Sequence, residues 1–84
     1  MALVYIAGNN LDAPRLRQDR VEFERLAAAE EDVTIDMSEV EFMDPSGVGA
    51  LVFVLKRVRA AGRSFRLINV RGQPQELLEQ IGLA

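Results

Sequence analysis

The stretch Val33-Thr-Ile-Asp-Met-Ser-Glu-Val-Glu-Phe-Met-Asp-Pro-Ser-Gly-Val-Gly-Ala-Leu51 decides how this chain is read. Val33, Ile35 and Met37 alternate with Thr34 and Asp36, the two-residue period of a strand. Val40 to Met43 reads as a second, brief extended piece. Pro45 disfavours helical geometry for Asp44, which suits that aspartate to a helix N-cap. From Pro45 the period changes to about 100° per residue. Val48, Leu51, Val52, Leu55 and Val58 then share one face, and Gly62 stops the helix after Ala61. The opposite line carries Ser46, Ala50, Phe53 and Arg57. Ser46 therefore lies in the first turn with its hydroxyl turned outward, at the electropositive end of a helix dipole and close to acids.

Upstream, Leu3 to Ala7 is apolar with β-branched residues and reads as a strand, followed by a turn at Gly8-Asn9-Asn10. Asp12 or a neighbour can cap the next helix, and Pro14 suits its first turn, where the missing N–H has no partner. This helix is expected to run to about Glu31. Leu16, Phe23, Leu26, Ala27 and Glu30 lie near one face, interrupted by Arg20. Downstream, Phe65 to Val70 is a third strand. A turn at Arg71-Gly72 leads to a short helix from about Pro74 to Ile81, with Gly82 as its stop. The order β-α-β-α-β-α defines an α/β fold, with a mostly parallel sheet, right-handed crossovers and helices packed on it. The 84 residues read as one small domain spanning 1–84, without repeat, linker or low-complexity segment.

Hydrophobic residues make up 49% and charged residues 27%, enough to build a core and keep a hydrated surface. The formal net charge of -3, with arginines interleaved among acids, argues against nucleic-acid binding, which needs a basic surface to neutralise phosphates. There is no cysteine, hence neither disulfide nor thiol chemistry, and no histidine, the commonest general base and zinc ligand. No metal or cofactor is expected. The opening Met-Ala-Leu-Val-Tyr-Ile is short for a signal peptide and lacks a basic lead. No apolar run approaches the roughly 20 residues that span a bilayer. A soluble cytoplasmic protein is the expectation.

Enzymatic readings find little support, and no catalytic residue is expected. Phosphoacceptor receivers need a lysine on a late strand, whereas the only lysine, Lys56, lies in mid-helix. A serine hydrolase needs a base for its nucleophile. Gly47-Val-Gly49 is not followed by the Gly-Lys-Ser/Thr of a phosphate-cradling loop. Arginine and aromatic side chains are the usual anchors of interfaces, so Phe53 beside Ala50 and Arg57 reads as a docking face. Plainer roles stand beside these. Serine and aspartate at helix starts often serve only as caps, and Phe53 can tuck against a neighbouring loop or helix.

The segment Ile35-Asp-Met-Ser-Glu-Val-Glu-Phe-Met-Asp-Pro-Ser-Gly-Val-Gly-Ala-Leu51 resembles the signature of STAS domains, the family of bacterial anti-sigma factor antagonists. That family reads as a strand ending Asp-Leu-Ser, then Phe-Met/Ile-Asp-Ser-Ser-Gly-Leu-Gly. Gly8-Asn-Asn-Leu-Asp12 is similar to the family's Gly-x-Leu-Asp. Ala60-Ala-Gly62, the strand Phe65–Val70 and Leu77-Leu-Glu-Gln-Ile-Gly-Leu83 extend the resemblance over nearly the whole chain. In phosphorylatable members the second serine of Ser-Ser is the acceptor. The matching residue is Ser46, while Pro45 replaces the first serine.

The resemblance implies a protein-interaction module used in signalling and transcription regulation, phosphorylated at Ser46. Its partner would be a serine kinase that doubles as an anti-sigma factor. Asp12, Asp44, Ser46, Gly47 and the helix face with Ala50, Phe53 and Arg57 would form the contact. STAS modules also serve as subunits of lipid-transporting ABC complexes, which makes a transporter ATPase the alternative partner. Family domains usually open with a further strand and continue past the last helix. Their absence here leaves an open sheet edge and the expectation of a homodimer through it.

Overall fold

A computed structural model describes residues 2–83. β1 (Ala2–Ile6), β3 (Asp32–Asp36) and β5 (Phe65–Ile68) form a parallel sheet in the order β1-β3-β5. Tyr5 lies beside Ile35 and Ile35 beside Leu67, so one face of the sheet carries Leu3, Tyr5, Val33, Ile35, Phe65 and Leu67. The strand period sends Val4, Ile6, Thr34, Asp36 and Arg66 to the other face. On that face Val4 is 63% and Ile6 57% exposed. The first face builds the core with Phe23, Leu26, Leu51, Val54, Val58 and Leu78 from the helices. The α/β fold expected from the alternating pattern is present.

A second, smaller parallel pair joins β2 (Asn10–Leu11) to β4 (Phe42–Met43), with Leu11 beside Met43. The brief extended piece expected before Asp44 is β4. Its partner β2 falls where a turn is expected at Gly8-Asn9-Asn10, and Asn10 belongs to the strand instead. Leu11 and Met43 are both fully buried, so the pair roots the two helix starts that follow it in the core.

The long helix expected from Pro14 to about Glu31 is two helices, α1 (Ala13–Gln18) and α2 (Arg20–Ala27). Asp19 separates them, and its carboxylate accepts the Tyr5 hydroxyl hydrogen at 2.9 Å. Aspartate is a weak helix former, and a tether to β1 replaces any local role for its side chain. Burial, with the nearby Asp19 carboxylate, pushes the Tyr5 pKa well above its ordinary value, so the phenol remains a donor. The Tyr5 ring also meets Phe23 edge-on, 5.3 Å between centroids. Arg20 is exposed and pairs with Glu24 along α2 at 3.3 Å.

Helix α3 (Pro45–Ala60) begins where expected and ends one residue short of expectation. Its buried line is Gly47, Leu51, Val54 and Val58, whereas Val48, Val52 and Leu55 are half-buried. The helix is thus rolled relative to the face expected from periodicity. The roll follows from Gly47, whose missing side chain lets the Leu11 carbonyl approach. Strand β5 stops at Ile68, because Asn69 turns into the left-handed region at φ 59. Helix α4 (Gly72–Gln80) starts two residues before Pro74, with Gly72 at φ 61.

Candidate functional site

Asp44 organises the start of α3. Its backbone is extended, and its Oδ1 accepts the Gly47 N–H at 3.0 Å, satisfying a donor that has no partner within the helix. Its Oδ2 faces the Ala13 N–H at 3.4 Å, so the same carboxylate reaches the first residue of α1. Asp12 caps α1 in parallel, accepting the Arg15 N–H at 3.1 Å. The Asp44 N–H donates to the Leu11 carbonyl at 3.3 Å. Asp12 and Asp44 are both half-buried and hold the two helix starts side by side.

Ser46 sits in the second helical position of α3 and is exposed. A group added to its oxygen would extend into solvent near the positive end of the helix dipole. Gly47, which the family pattern places in the contact, is buried. A Cβ on Gly47 would lie 2.2 Å from the Leu11 carbonyl oxygen and 2.8 Å from the Met43 side chain. Gly47 therefore serves close packing beneath the site rather than the surface. Gly49 faces outward, and a Cβ there would meet no atom within 4 Å.

Along α3 the outward line continues through Ala50, Phe53 and Arg57. Ala50 is half-buried, Phe53 is 42% exposed and Arg57 is exposed. The Arg57 guanidinium carbon stands 5.1 Å from the centroid of the Phe53 ring, in cation–π range. An apolar ring with a cation over it presents a partly ordered surface, which lowers the entropy lost when a partner covers it. The structure thus brings Asp44 and Ser46 together at the helix start and sets Phe53 and Arg57 further along the same helix. Asp12 joins the Asp44 end through α1.

Sequence reasoning missed Gln73. This half-buried side chain in the first turn of α4 accepts the Met43 N–H through Oε1 at 2.8 Å. It donates from Nε2 to the Met43 carbonyl, also at 2.8 Å. A glutamine beside Pro74 carries no pattern that would have announced this. A second polar cluster lies at the C-terminal end of β3. There the Ser38 N–H and the Asn69 amide donate to Asp36 at 2.9 and 3.1 Å and hold its carboxyl below the ordinary aspartate range.

A groove of about 430 Å³ lies on another side of α3, against β5 and the end of α4, lined by Leu51, Leu55, Phe65, Leu67, Leu78 and other apolar groups. Arg59 is the charged residue of its lining. Among the described residues, no group of histidine, cysteine, aspartate or glutamate is arranged to hold a metal ion. Among them, too, no helix is long and apolar enough to cross a membrane.

The alternating strands and helices with a mostly parallel sheet are consistent with a STAS-like fold. The STAS domain family model matches residues 2–84, and the chain belongs to that family. STAS domains occur in anti-sigma factor antagonists and in transporters, and they are generally interaction modules rather than enzymes. A comparison with curated proteins finds no match.

Proposed function

We propose that this STAS domain is a phospho-switchable interaction module of the cytoplasm, acting as an anti-sigma factor antagonist. In the unmodified state Ser46, Ala50, Phe53 and Arg57 dock on a serine kinase that doubles as an anti-sigma factor, with Asp44 and Asp12 at the rim. Occupying that kinase frees its sigma factor. Phosphorylation of Ser46 adds about -1.5 to -2 charges. The helix dipole offsets part of that charge, so the fold survives the modification. A partner surface closing over a desolvated dianion beside Asp44 loses affinity. The domain performs no chemistry of its own in this reading; the kinase supplies the phosphoryl group.

The observation that carries the proposal is the exposed Ser46 hydroxyl on the same helix as the exposed Phe53–Arg57 pair. The test compares Ser46→Asp with Ser46→Ala for binding to the kinase purified from the same host. The aspartate variant should bind at least about tenfold more weakly, a difference of ~1.4 kcal/mol. Equal affinities would sink the switch.

A second reading keeps the surface and drops the modification. Pro45 stands where phosphorylatable relatives have serine, and the Phe53–Arg57 pair is formed without any contribution from Ser46. Both features favour constitutive docking on the ATPase subunit of a lipid transporter. Co-purification with an ATPase, together with unchanged binding by Ser46→Asp and loss of binding by Phe53→Ala, would select this reading.

A further inference from the structure

Strand β4 has two edges, and β2 occupies only one of them. In a strand, the N–H and C=O of one residue point to the same side, and the next residue's groups point to the other. The Phe42 and Asp44 N–H groups turn toward the β2 segment, donating to the Asn9 carbonyl at 3.4 Å and the Leu11 carbonyl at 3.3 Å. The N–H and C=O of Met43 therefore face away from β2. Met43 is fully buried, and backbone groups left unpaired there would carry the desolvation cost of lost hydrogen bonds. Gln73 meets both of them at 2.8 Å with its single primary amide. Its side chain stands where the peptide group of a further strand would otherwise lie.

The residue so held is the one on which the Ser46 turn hangs. Met43 precedes Asp44, which caps α3 and reaches Ala13. The Met43 side chain also lies beneath Gly47. Gln73 is placed for its task by Gly72, whose left-handed backbone opens α4, and by Pro74, which is buried. We propose that Gln73 is the positioning residue of the Ser46 site, and that α4 is coupled through it to the turn carrying Ser46. This rests on the reading of Ser46 as the switch. A displacement of α4 would loosen the Asp44 cap, and modification at Ser46 would in turn be felt at the Gln73 amide, because coupling between two sites is reciprocal.

Two variants of the full chain separate positioning from space filling. Gln73→Met keeps the volume and removes both polar groups. Gln73→Glu keeps the shape but, once ionised, only accepts hydrogen bonds, and it sets an anionic oxygen against the Met43 carbonyl. Backbone amide exchange, read residue by residue by NMR beside urea unfolding, is the measurement. In both variants, exchange at Met43 and Gly47 should accelerate at least about tenfold more than the loss of global stability accounts for. In otherwise unaltered protein, Ser46→Asp should shift the Gln73 side-chain amide resonances. Acceleration spread evenly over the core, or a Gln73 amide indifferent to Ser46→Asp, would overturn the coupling. Neither measurement needs a partner, so failure of the Ser46 switch in the kinase-binding comparison is a separate result.

Discussion

Helices α1 and α3 start alike and end differently. Each follows a two-residue strand of the β2–β4 pair, each has an extended aspartate at its N-cap, and each has a proline in its first turn. Yet α1 runs for 6 residues and buries none of them, whereas α3 runs for 16 and buries Gly47, Leu51, Val54 and Val58. A cap fixes where a helix begins, since it satisfies donors that the helix cannot. Continued length comes from an apolar face packed against the rest of the molecule. Arg15, Arg17 and Gln18 leave α1 only the half-buried Leu16 against the core, and fully buried side chains return in α2, with Phe23 and Leu26.

The strongest way to break this contrast is Gly47→Ala. The new methyl would collide with the Leu11 carbonyl oxygen, a backbone atom of the β2–β4 pair that cannot swing aside. We expect a loss of about 3 kcal/mol in urea unfolding, at the upper end for overpacking. A change below ~0.5 kcal/mol would mean that α3 is not rolled onto β2 as described. Next in size is Asp44→Ala, which removes the acceptor of the Gly47 and Ala13 N–H groups. It should cost about 1–2 kcal/mol, against about 0.5–1 for Asp12→Ala, whose carboxylate holds the Arg15 N–H alone. Equal costs would show that the reach of Asp44 to α1 contributes nothing.

Gly49→Ala sharpens the contrast with the opposite sign. Two positions from Gly47, this glycine has open space around it, so alanine should stabilise the helix by about 0.5–1 kcal/mol. The smallest effect lies outside both helix starts. The Asp36 carboxyl is held below its ordinary pKa by the Ser38 N–H and then by Asn69. Its contribution is complete above the unfolded-state aspartate range and is lost as pH falls through the lower native value. Asp36→Asn should therefore lower stability slightly at neutral pH, leave it almost unchanged at strongly acid pH, and so flatten the acid limb of a stability-against-pH curve. A steeper acid limb in that variant would contradict the assignment.

What could be read from the residues follows the same division between local and distant causes. Asp44-Pro45-Ser46 announces a helix start through nearest neighbours alone, and the exposed Ser46, Phe53 and Arg57 follow from a 100° period. The alternation of Val33, Ile35 and Met37 similarly announces β3. The roll of α3 was not legible, because several lines of α3 are apolar and the Leu11 carbonyl, a tertiary neighbour, selects among them. That same neighbour buries Gly47. The break at Asp19 depends on Tyr5, 14 residues earlier, and the role of Gln73 depends on Met43, 30 residues earlier. Neither pairing leaves a periodic trace in the chain.

The bond between Asp44 and Ala13 spans 31 residues, and the β2–β4 pair bridges a comparable stretch. Closing so long a loop carries an entropic cost that only contacts between distant residues repay, as in the β1–β3 and β3–β5 pairings, which close loops of similar length. The Ser46 turn accordingly keeps its shape only while contacts between residues distant in the chain are in place. An unfolded or newly synthesised chain would offer a kinase the same amino acids without the same shape. Any partner that reads this turn is thereby also inspecting whether the chain has finished folding.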